Sequence, residues 1–180
     1  MKILIAITGA SGMPYAAKLI ETFENLNVNY NGIVSTPALK IFRRETENKT
    51  ALLQKFYSDA NMEAPFSSGS SSVDAMVIIP CSMKTLAAIA GGYASNLITR
   101  SADVMLKERK KLIIVPRETP LNSIHLENML KLSNMGAVIL PAMPAFYHSP
   151  ENIEDILNFI AGKVLDVLEI KNNLYRRWGD

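Results

Sequence analysis

The sequence predicts an α/β fold: a doubly wound, mostly parallel sheet between two layers of helices. Short apolar, β-branched runs alternate along the chain with longer segments whose apolar residues recur at helical spacing. Residues 75–80 and 111–116 are almost continuously apolar, as is typical of parallel strands buried on both faces. These observations together indicate a three-layer domain of the Rossmann-like or flavodoxin-like kind.

The first half of the chain is predicted to hold two strands and three helices. Residues 3–7 are apolar and β-branched, and residues 14–25 place an apolar side chain every three or four positions. Residues 28–35 repeat the strand pattern. A helix is predicted from Pro37 to about residue 44, because proline is favoured in the first helical turn. Residues 52–62 carry a further helical pattern.

The second half continues the alternation after a polar, serine-rich loop at residues 67–72. The predicted order is strand 75–80, helices 82–91 and 97–109, strand 111–116, helix 123–134, strand 137–141 and an amphipathic helix 151–168. The polar tail at residues 172–180 contains the one tryptophan of the chain.

The composition suits one globular domain over residues 1–180. The chain is 48% hydrophobic and 20% charged, with a net charge of +2, which gives no electrostatic reason to expect nucleic acid or an anionic membrane as a partner. One cysteine excludes an intrachain disulfide, and one cysteine with two histidines disfavours a zinc site. No cleavable signal or membrane-length apolar run is evident, so we expect a cytoplasmic protein.

The first strand runs directly into Thr8-Gly9-Ala10-Ser11-Gly12, and a helix follows. Glycine lets backbone approach a ligand closely, and a helix N-terminus attracts anions. The spacing matches neither the dinucleotide fingerprint nor the phosphate loop. The turn is therefore either a ligand site of another kind or a plain tight turn in which Ser11 caps the helix.

Further polar residues follow the other predicted strands, where α/β proteins place their ligands. Ser35 precedes a helix and could bind a phosphate or cap that helix. Ser82, Lys84 and Thr85 open another helix and could hold a phosphate together, or they could form a capped helix with a solvated lysine.

Arg117 and Glu118 end a core strand between two prolines, where a charge pair is costly unless it is paired or functional. Glu118 would suit proton transfer or the stabilisation of a cation, and a surface salt bridge is the alternative. The rigid, aromatic loop at residues 141–150 is compatible with the wall of an apolar pocket. Cys81 is expected to be a buried, inert thiol rather than a nucleophile.

At this point the residues resemble a known family, the flavin prenyltransferases of the UbiX group, within the homo-oligomeric, flavin-containing cysteine decarboxylase-like fold. The likeness covers almost the whole chain. The segments that carry it are 8–12, 67–70, 80–85, 97–109, 116–121, 125–129, 136–141, 144–148 and 177–179.

The resemblance implies a reaction and its partners. It implies that reduced FMN is a substrate, and that the dimethylallyl group of dimethylallyl phosphate is joined to its N5 and C6 atoms without a metal. The product, prenylated FMN, would serve a decarboxylase of the UbiD type. The family also implies a homododecamer with its sites at subunit contacts.

The same matching implies roles for individual residues. The catalytic residues it implies are Ser11, Glu45, Lys107 and Glu118. Those implied to bind FMN are Gly9, Ala10, Ser11, Ser35, Ser82, Met83, Lys84, Thr85 and Arg117. Those implied to bind the prenyl phosphate are Arg100, Lys107, Tyr147 and Lys163. Lys163 departs from the arginine of many members, which keeps the charge and loses the bidentate fork.

Two other functions stay open on the sequence alone. One is an FMN-dependent decarboxylase of the same fold that acts on a cysteine substrate. The other is a non-catalytic, FMN-binding subunit, which would need neither Glu118 nor a prenyl phosphate site.

Overall fold

Six parallel strands form one sheet in the order β3-β2-β1-β4-β5-β6 in the computed structural model, which describes residues 1–179. This is the strand order of the Rossmann fold, so the predicted fold class is confirmed. The strands are β1 (Lys2–Ile7), β2 (Asn29–Val34), β3 (Phe56–Ser58), β4 (Ala75–Cys81), β5 (Lys111–Pro116) and β6 (Val138–Ile139).

Within residues 1–179, five α-helices lie between strands and a sixth follows β6, and together they cover both faces of the sheet. They are α1 (Met13–Asn25), α2 (Thr36–Glu45), α3 (Met83–Ala90), α4 (Leu97–Lys107), α5 (Ser123–Asn134) and α6 (Ile153–Val167). Short 3₁₀ turns lie at Thr50–Leu53 and Pro65–Ser67. Most bounds fall within two residues of the prediction, and β6 is a two-residue strand where residues 137–141 were expected. Within residues 1–179, no helix has the length and apolar character needed to cross a membrane.

The sheet separates two apolar cores, because successive side chains of a strand point to opposite faces. On one side Ile3, Ile5 and Ile7 of β1 pack with α1, α2 and α6. On the other side Leu4 and Ala6 pack with α3, α4 and α5. Helices α4 and α6 therefore lie on opposite faces of the sheet.

The helix predicted over residues 52–62 is wrong. The chain forms a 3₁₀ turn there and then the edge strand β3, which pairs with β2 through Gly32 and Phe56. A Cβ on Gly32 would overlap the Phe56 ring, so the bare glycine is what admits the strand. This pairing joins distant segments, and local periodicity does not reveal it.

Candidate functional site

The order of the sheet places a crevice between the carboxyl ends of β1 and β4, where chain connections leave in opposite directions. The buried side chain of Thr8 joins the two ends. Its Oγ1 donates to the Pro80 carbonyl at 2.9 Å and accepts from the Ser82 amide at 2.7 Å. The glycine turn and the N-terminus of α3 are thus held side by side. The sequence indicates both segments, and Thr8 within the first of them, but it does not reveal that Thr8 links the two.

The glycine turn is closed by Glu45, the last residue of α2. Its Oε2 accepts from the amides of Gly12 and Met13 at 2.8 and 3.0 Å. Gly12 is the N-cap of α1, with φ 105° and no side-chain cap, so the alternative in which Ser11 caps this helix is wrong. The amides of Gly12 and Met13, which could otherwise bind an anionic ligand at the N-terminus of α1, already donate to the Glu45 carboxylate.

The Glu45 carboxylate also accepts a hydrogen bond from the Ser11 hydroxyl. Partial burial acts to raise the pKa of Glu45, but the hydrogen bond from Ser11 and those from the amides of Gly12 and Met13 outweigh it, with help from the nearby Arg117 charge. The pKa of Glu45 therefore lies below its ordinary value, and the group is anionic at neutral pH.

Arg117 brings the end of β5 to the same place. Its Nε donates to the Ser11 carbonyl at 3.1 Å, and its amide donates to the Cys81 carbonyl at 3.3 Å. The neighbouring Glu118 is exposed, and its Oε1 accepts from the Thr119 amide at 3.1 Å. The two charges face different partners, which argues against the simple surface salt bridge.

The hydroxyls at the other strand ends act as caps. Ser35 Oγ accepts from the Ala38 amide at 3.3 Å, and Ser82 Oγ accepts from the Thr85 amide at 3.4 Å. Ser82 also donates to Thr85 Oγ1 at 3.1 Å. The capping alternative thus describes these hydroxyls. The first amides of α3, those of Met83 and Lys84, have no acceptor within the helix, and they follow directly on the carboxyl end of β4.

A cavity of about 230 Å³ lies beside these strand ends. Apolar side chains, including Met129 and Met143, form most of its wall, and Arg117 and Glu118 supply its charges. An apolar pocket with a few converging polar groups is the usual form of a small-molecule site. We refer to this crevice and cavity, with Ser11, Glu45, Arg117 and Glu118, as the strand-end site.

Two residues predicted to bind a phosphate lie elsewhere, on α4. Arg100 donates through Nε to the Ser67 carbonyl at 2.9 Å and through Nη1 to Asp103 at 2.8 Å. Lys107 is exposed, pairs with Glu108 and lies against Gly69 of the serine-rich loop. This loop leads into the beginning of β4, so Lys107 lies near the amino ends of the strands, whereas the strand-end site lies at their carboxyl ends.

The other two phosphate candidates, Tyr147 and Lys163, lie at α6. The Tyr147 ring packs edge-on against Phe159 and Trp178, with centroids 6.0 and 5.3 Å apart. Lys163 Nζ lies 3.9 Å from an Asp166 carboxylate oxygen. Because α4 and α6 cover opposite faces of the sheet, one chain does not bring its four phosphate candidates together.

Cys81 is buried, and burial raises the pKa of its thiol, as expected for an inert cysteine rather than a nucleophile. Among residues 1–179, no three His, Cys, Asp or Glu side chains are arranged to hold a metal ion.

The fold and the strand-end site define a flavoprotein, and the family model described as Flavoprotein matches residues 1–165. The chain is 52% identical to the flavin prenyltransferase UbiX of Methanocaldococcus jannaschii, over 99% of both chains. It is 43% identical to the flavin prenyltransferase UbiX of Pseudomonas aeruginosa, over 99% of this chain and 94% of that one. The chain belongs to the flavoprotein family and, within it, to the flavin prenyltransferases of the UbiX type; it is a transferase.

Solved structures agree with this assignment. A crystal structure of AnUbiX (PadA1) in complex with FMN and dimethylallyl pyrophosphate matches with a TM-score of 0.94 and 42% identity, over 99% of this chain and 97% of that one. A dodecameric, FMN-dependent UbiX-like decarboxylase from Escherichia coli O157:H7 matches with a TM-score of 0.91 and 41% identity, over the full length of both chains. A PPC decarboxylase at 20% identity and a TM-score of 0.68 shares the fold alone.

Proposed function

We propose that the protein transfers the dimethylallyl group of dimethylallyl phosphate to N5 and C6 of reduced FMN, and that a UbiD-type decarboxylase uses the prenylated FMN. The observation that carries the proposal is the strand-end site, where Ser11, Glu45, Arg117 and Glu118 converge beside an apolar cavity. A neighbour with the same fold at 42% identity was crystallised with FMN and dimethylallyl pyrophosphate.

The residues of the strand-end site fit a flavin mononucleotide. Reduced FMN, when bound, supplies the nucleophilic N5 and C6 atoms. The free amides at the start of α3, with Arg117 and Lys84, suit its phosphate, and the apolar wall of the cavity suits its ring. In this proposal the flavin ring approaches the turn on the side of Ser11, because Pro37 and Tyr15 already pack against Gly9 and Gly12. In this proposal FMN contacts Gly9, Ala10, Ser11, Ser35, Ser82, Met83, Lys84, Thr85 and Arg117.

The chemistry requires three things of the protein. Cationic and hydroxyl donors must stabilise the phosphate as it leaves, and apolar walls must keep water from the allyl cation. A base must also accept the proton that C6 loses. Glu118 lines the cavity, and among the residues that the structure describes its carboxylate accepts one hydrogen bond, from the adjacent Thr119 amide, so we assign it the role of taking that proton.

The donors to the prenyl phosphate are Arg100, Lys107, Tyr147 and Lys163. Because α4 and α6 lie on opposite faces of one sheet, we infer that each complete site takes these donors from more than one copy of the chain. The dodecameric neighbour supports a homo-oligomer of this kind. The proposed reaction uses no metal.

We keep a cytoplasmic location as part of the proposal. The buried, unpaired thiol of Cys81 agrees with a reducing compartment.

The test is anaerobic incubation with reduced FMN and dimethylallyl phosphate, followed by mass spectrometry of the flavin. We expect the flavin to gain one prenyl group. Glu118→Gln should bind FMN as before and form product about 100-fold or more slowly, because a general base is lost. Glu127→Gln, which removes an exposed carboxylate from α5, is the matched control and should retain full activity.

A folded, FMN-bound wild-type protein that adds no prenyl group would contradict the proposal. Release of carbon dioxide from a cysteine substrate would instead favour the decarboxylase alternative. Flavin binding without either reaction would favour a non-catalytic subunit. Undiminished product formation by Glu118→Gln would remove the role given to Glu118.

A further inference from the structure

The chain beyond α6 turns back along the helix, and Asp166 is where it is held. Arg177 donates to both carboxylate oxygens of Asp166, through Nη2 at 2.7 Å and Nη1 at 3.2 Å. The Tyr175 hydroxyl donates to the same carboxylate at 2.6 Å, and the side-chain amide nitrogen of Asn172 also donates to it, at 3.0 Å. Three residues of the segment 172–177 therefore converge on one side chain that is only 20% exposed.

This convergence keeps Asp166 ionised. Burial acts to raise the pKa of Asp166, but the hydrogen bonds from Arg177, Tyr175 and Asn172 outweigh it and lower the pKa to about 2. The anchor is therefore negatively charged at neutral pH. A charge-assisted, bidentate pair with arginine is among the stronger polar contacts in proteins.

The surface of α6 is shaped to receive the segment. A Cβ on Gly162 would lie 2.5 Å from the Tyr175 ring, so only glycine lets the ring rest on the helix backbone. The same ring packs against Phe159, with centroids 4.9 Å apart. Phe159, Gly162 and Asp166 recur at helical spacing and form one continuous seat for the segment.

The seat determines where Trp178 lies. Trp178 directly follows the anchored Arg177, and its ring meets the Tyr147 ring edge-on at 5.3 Å while remaining 81% exposed. Tyr147, Arg177 and Trp178 line a cavity of about 380 Å³. One wall of this cavity thus consists of the segment that Asp166 anchors.

We propose that Asp166 is a positioning residue of the prenyl phosphate site: it seats the segment 172–178 on α6 and so fixes Trp178 against Tyr147. The inference rests on the proposed function, in which Tyr147 and Lys163 contact the prenyl phosphate. Asp166 itself touches no substrate in this arrangement.

The anchor also bears on Lys163. The Lys163 ammonium lies 3.9 Å from the Asp166 carboxylate, at the outer limit of an ion pair, and its side chain is 45% exposed. Both carboxylate oxygens already accept shorter hydrogen bonds from Arg177 and Tyr175. The Lys163 ammonium is therefore available to bind a phosphate, because Asp166 does not pair closely with it.

The test uses Asp166→Asn with Trp178 as a native probe, since the chain has one tryptophan. Without substrate, we expect the fluorescence anisotropy of Trp178 to fall and its quenching by acrylamide to rise about twofold, because the segment is released. With substrate, we expect the KM for dimethylallyl phosphate to rise about tenfold while kcat and FMN binding change little. Glu169→Gln removes an exposed carboxylate that follows α6 and pairs with Lys111 rather than with the segment, so it should change neither readout.

Each result decides the inference. It is overturned if Asp166→Asn leaves Trp178 unchanged, if Trp178 is released without a rise in KM, or if Glu169→Gln has the same effect. If Asp166→Asn does not fold, Arg177→Gln removes the bidentate partner from the exposed side and the same readouts decide. If the wild-type protein makes no prenylated flavin, the proposed function fails, and the Trp178 anisotropy alone decides whether Asp166 holds the seat.

Discussion

Glu45, Glu118 and Asp166 are carboxylates in three different environments, and the environments suggest different tasks. Glu45 accepts hydrogen bonds from Ser11 and the first amides of α1, and Asp166 accepts them from the C-terminal segment. Both have lowered pKa values, so they hold structure as anions and are poor proton acceptors. Glu118 is exposed beside the cavity and accepts a hydrogen bond from the Thr119 amide, and it is the carboxylate to which the proposal gives the role of base.

Replacing Glu45 by glutamine tests its anchoring role through pH. The variant keeps the shape and loses the charge that faces the α1 N-terminus, so at pH 7 we expect a loss of about 1 kcal/mol of unfolding free energy. Because the folded pKa of Glu45 is lowered, its contribution is complete above the ordinary value of 4.5 and is lost as pH falls through the lower folded value. The stability difference between wild type and variant should therefore shrink below about pH 4.5.

Urea unfolding at a series of pH values measures this difference. Glu47→Gln is the matched control, because Glu47 is an exposed carboxylate two positions further along the chain. A stability loss that stays constant from neutral to acidic pH would show that Glu45 acts through shape and not through charge.

At the scale of elements, the sequence predicts what is local and misses what is distant. The apolar runs locate β1, β4 and β5, because burial on both faces leaves a continuous signal, and shorter strand patterns locate β2 and β6. The edge strand β3 is missed because it depends on a distant contact, in which the Phe56 ring packs on the bare backbone of Gly32. The same distinction holds for the site. The glycine turn is local and can be read from the sequence, whereas the Glu45 contact with Gly12 spans 33 positions and the Arg117 contact with Ser11 spans 106.

Gly32→Ala tests the explanation given for β3. The new methyl group meets the Phe56 ring, so we expect a loss of about 1 to 3 kcal/mol of unfolding free energy and faster hydrogen exchange at residues 56–58. Equilibrium unfolding and exchange measured by mass spectrometry check the two effects. Phe56→Ala removes the ring that causes the overlap.

The double variant supplies the control for this clash. If the ring is the cause, Gly32→Ala should cost less in the Phe56→Ala background than in the wild type. Equal costs in the two backgrounds would show that the alanine acts on β2 alone.

At the scale of the whole molecule, the proposed site takes residues from more than one copy of the chain. Arg100 and Lys107 lie on one face of the sheet, and Tyr147 and Lys163 lie on the other. Helix α5 exposes Ile124, Leu126 and Leu130 at 65%, 53% and 63%, an apolar surface of the kind that subunit contacts cover. The resemblance in sequence names Arg100, Lys107, Tyr147 and Lys163, and their placement on opposite faces of the sheet is the reason for proposing that a second copy completes the site.

Mixed assemblies test whether Lys107 and Lys163 reach one site from different copies. Lys107→Ala and Lys163→Ala should each lose most activity as pure assemblies, because each removes a cation from the leaving phosphate. When the two variants are co-expressed in equal amounts, random assembly should leave about a quarter of the sites with both lysines, and product formation should recover to about that fraction. The control combines Lys107→Ala with the double variant Lys107→Ala/Lys163→Ala, in which every site lacks Lys107 and none recovers. Mixed assemblies, purified through two different tags, that stay as inactive as the pure variants would place both lysines in the same chain's site. That outcome would exclude the shared site that the opposite faces of the sheet lead us to propose.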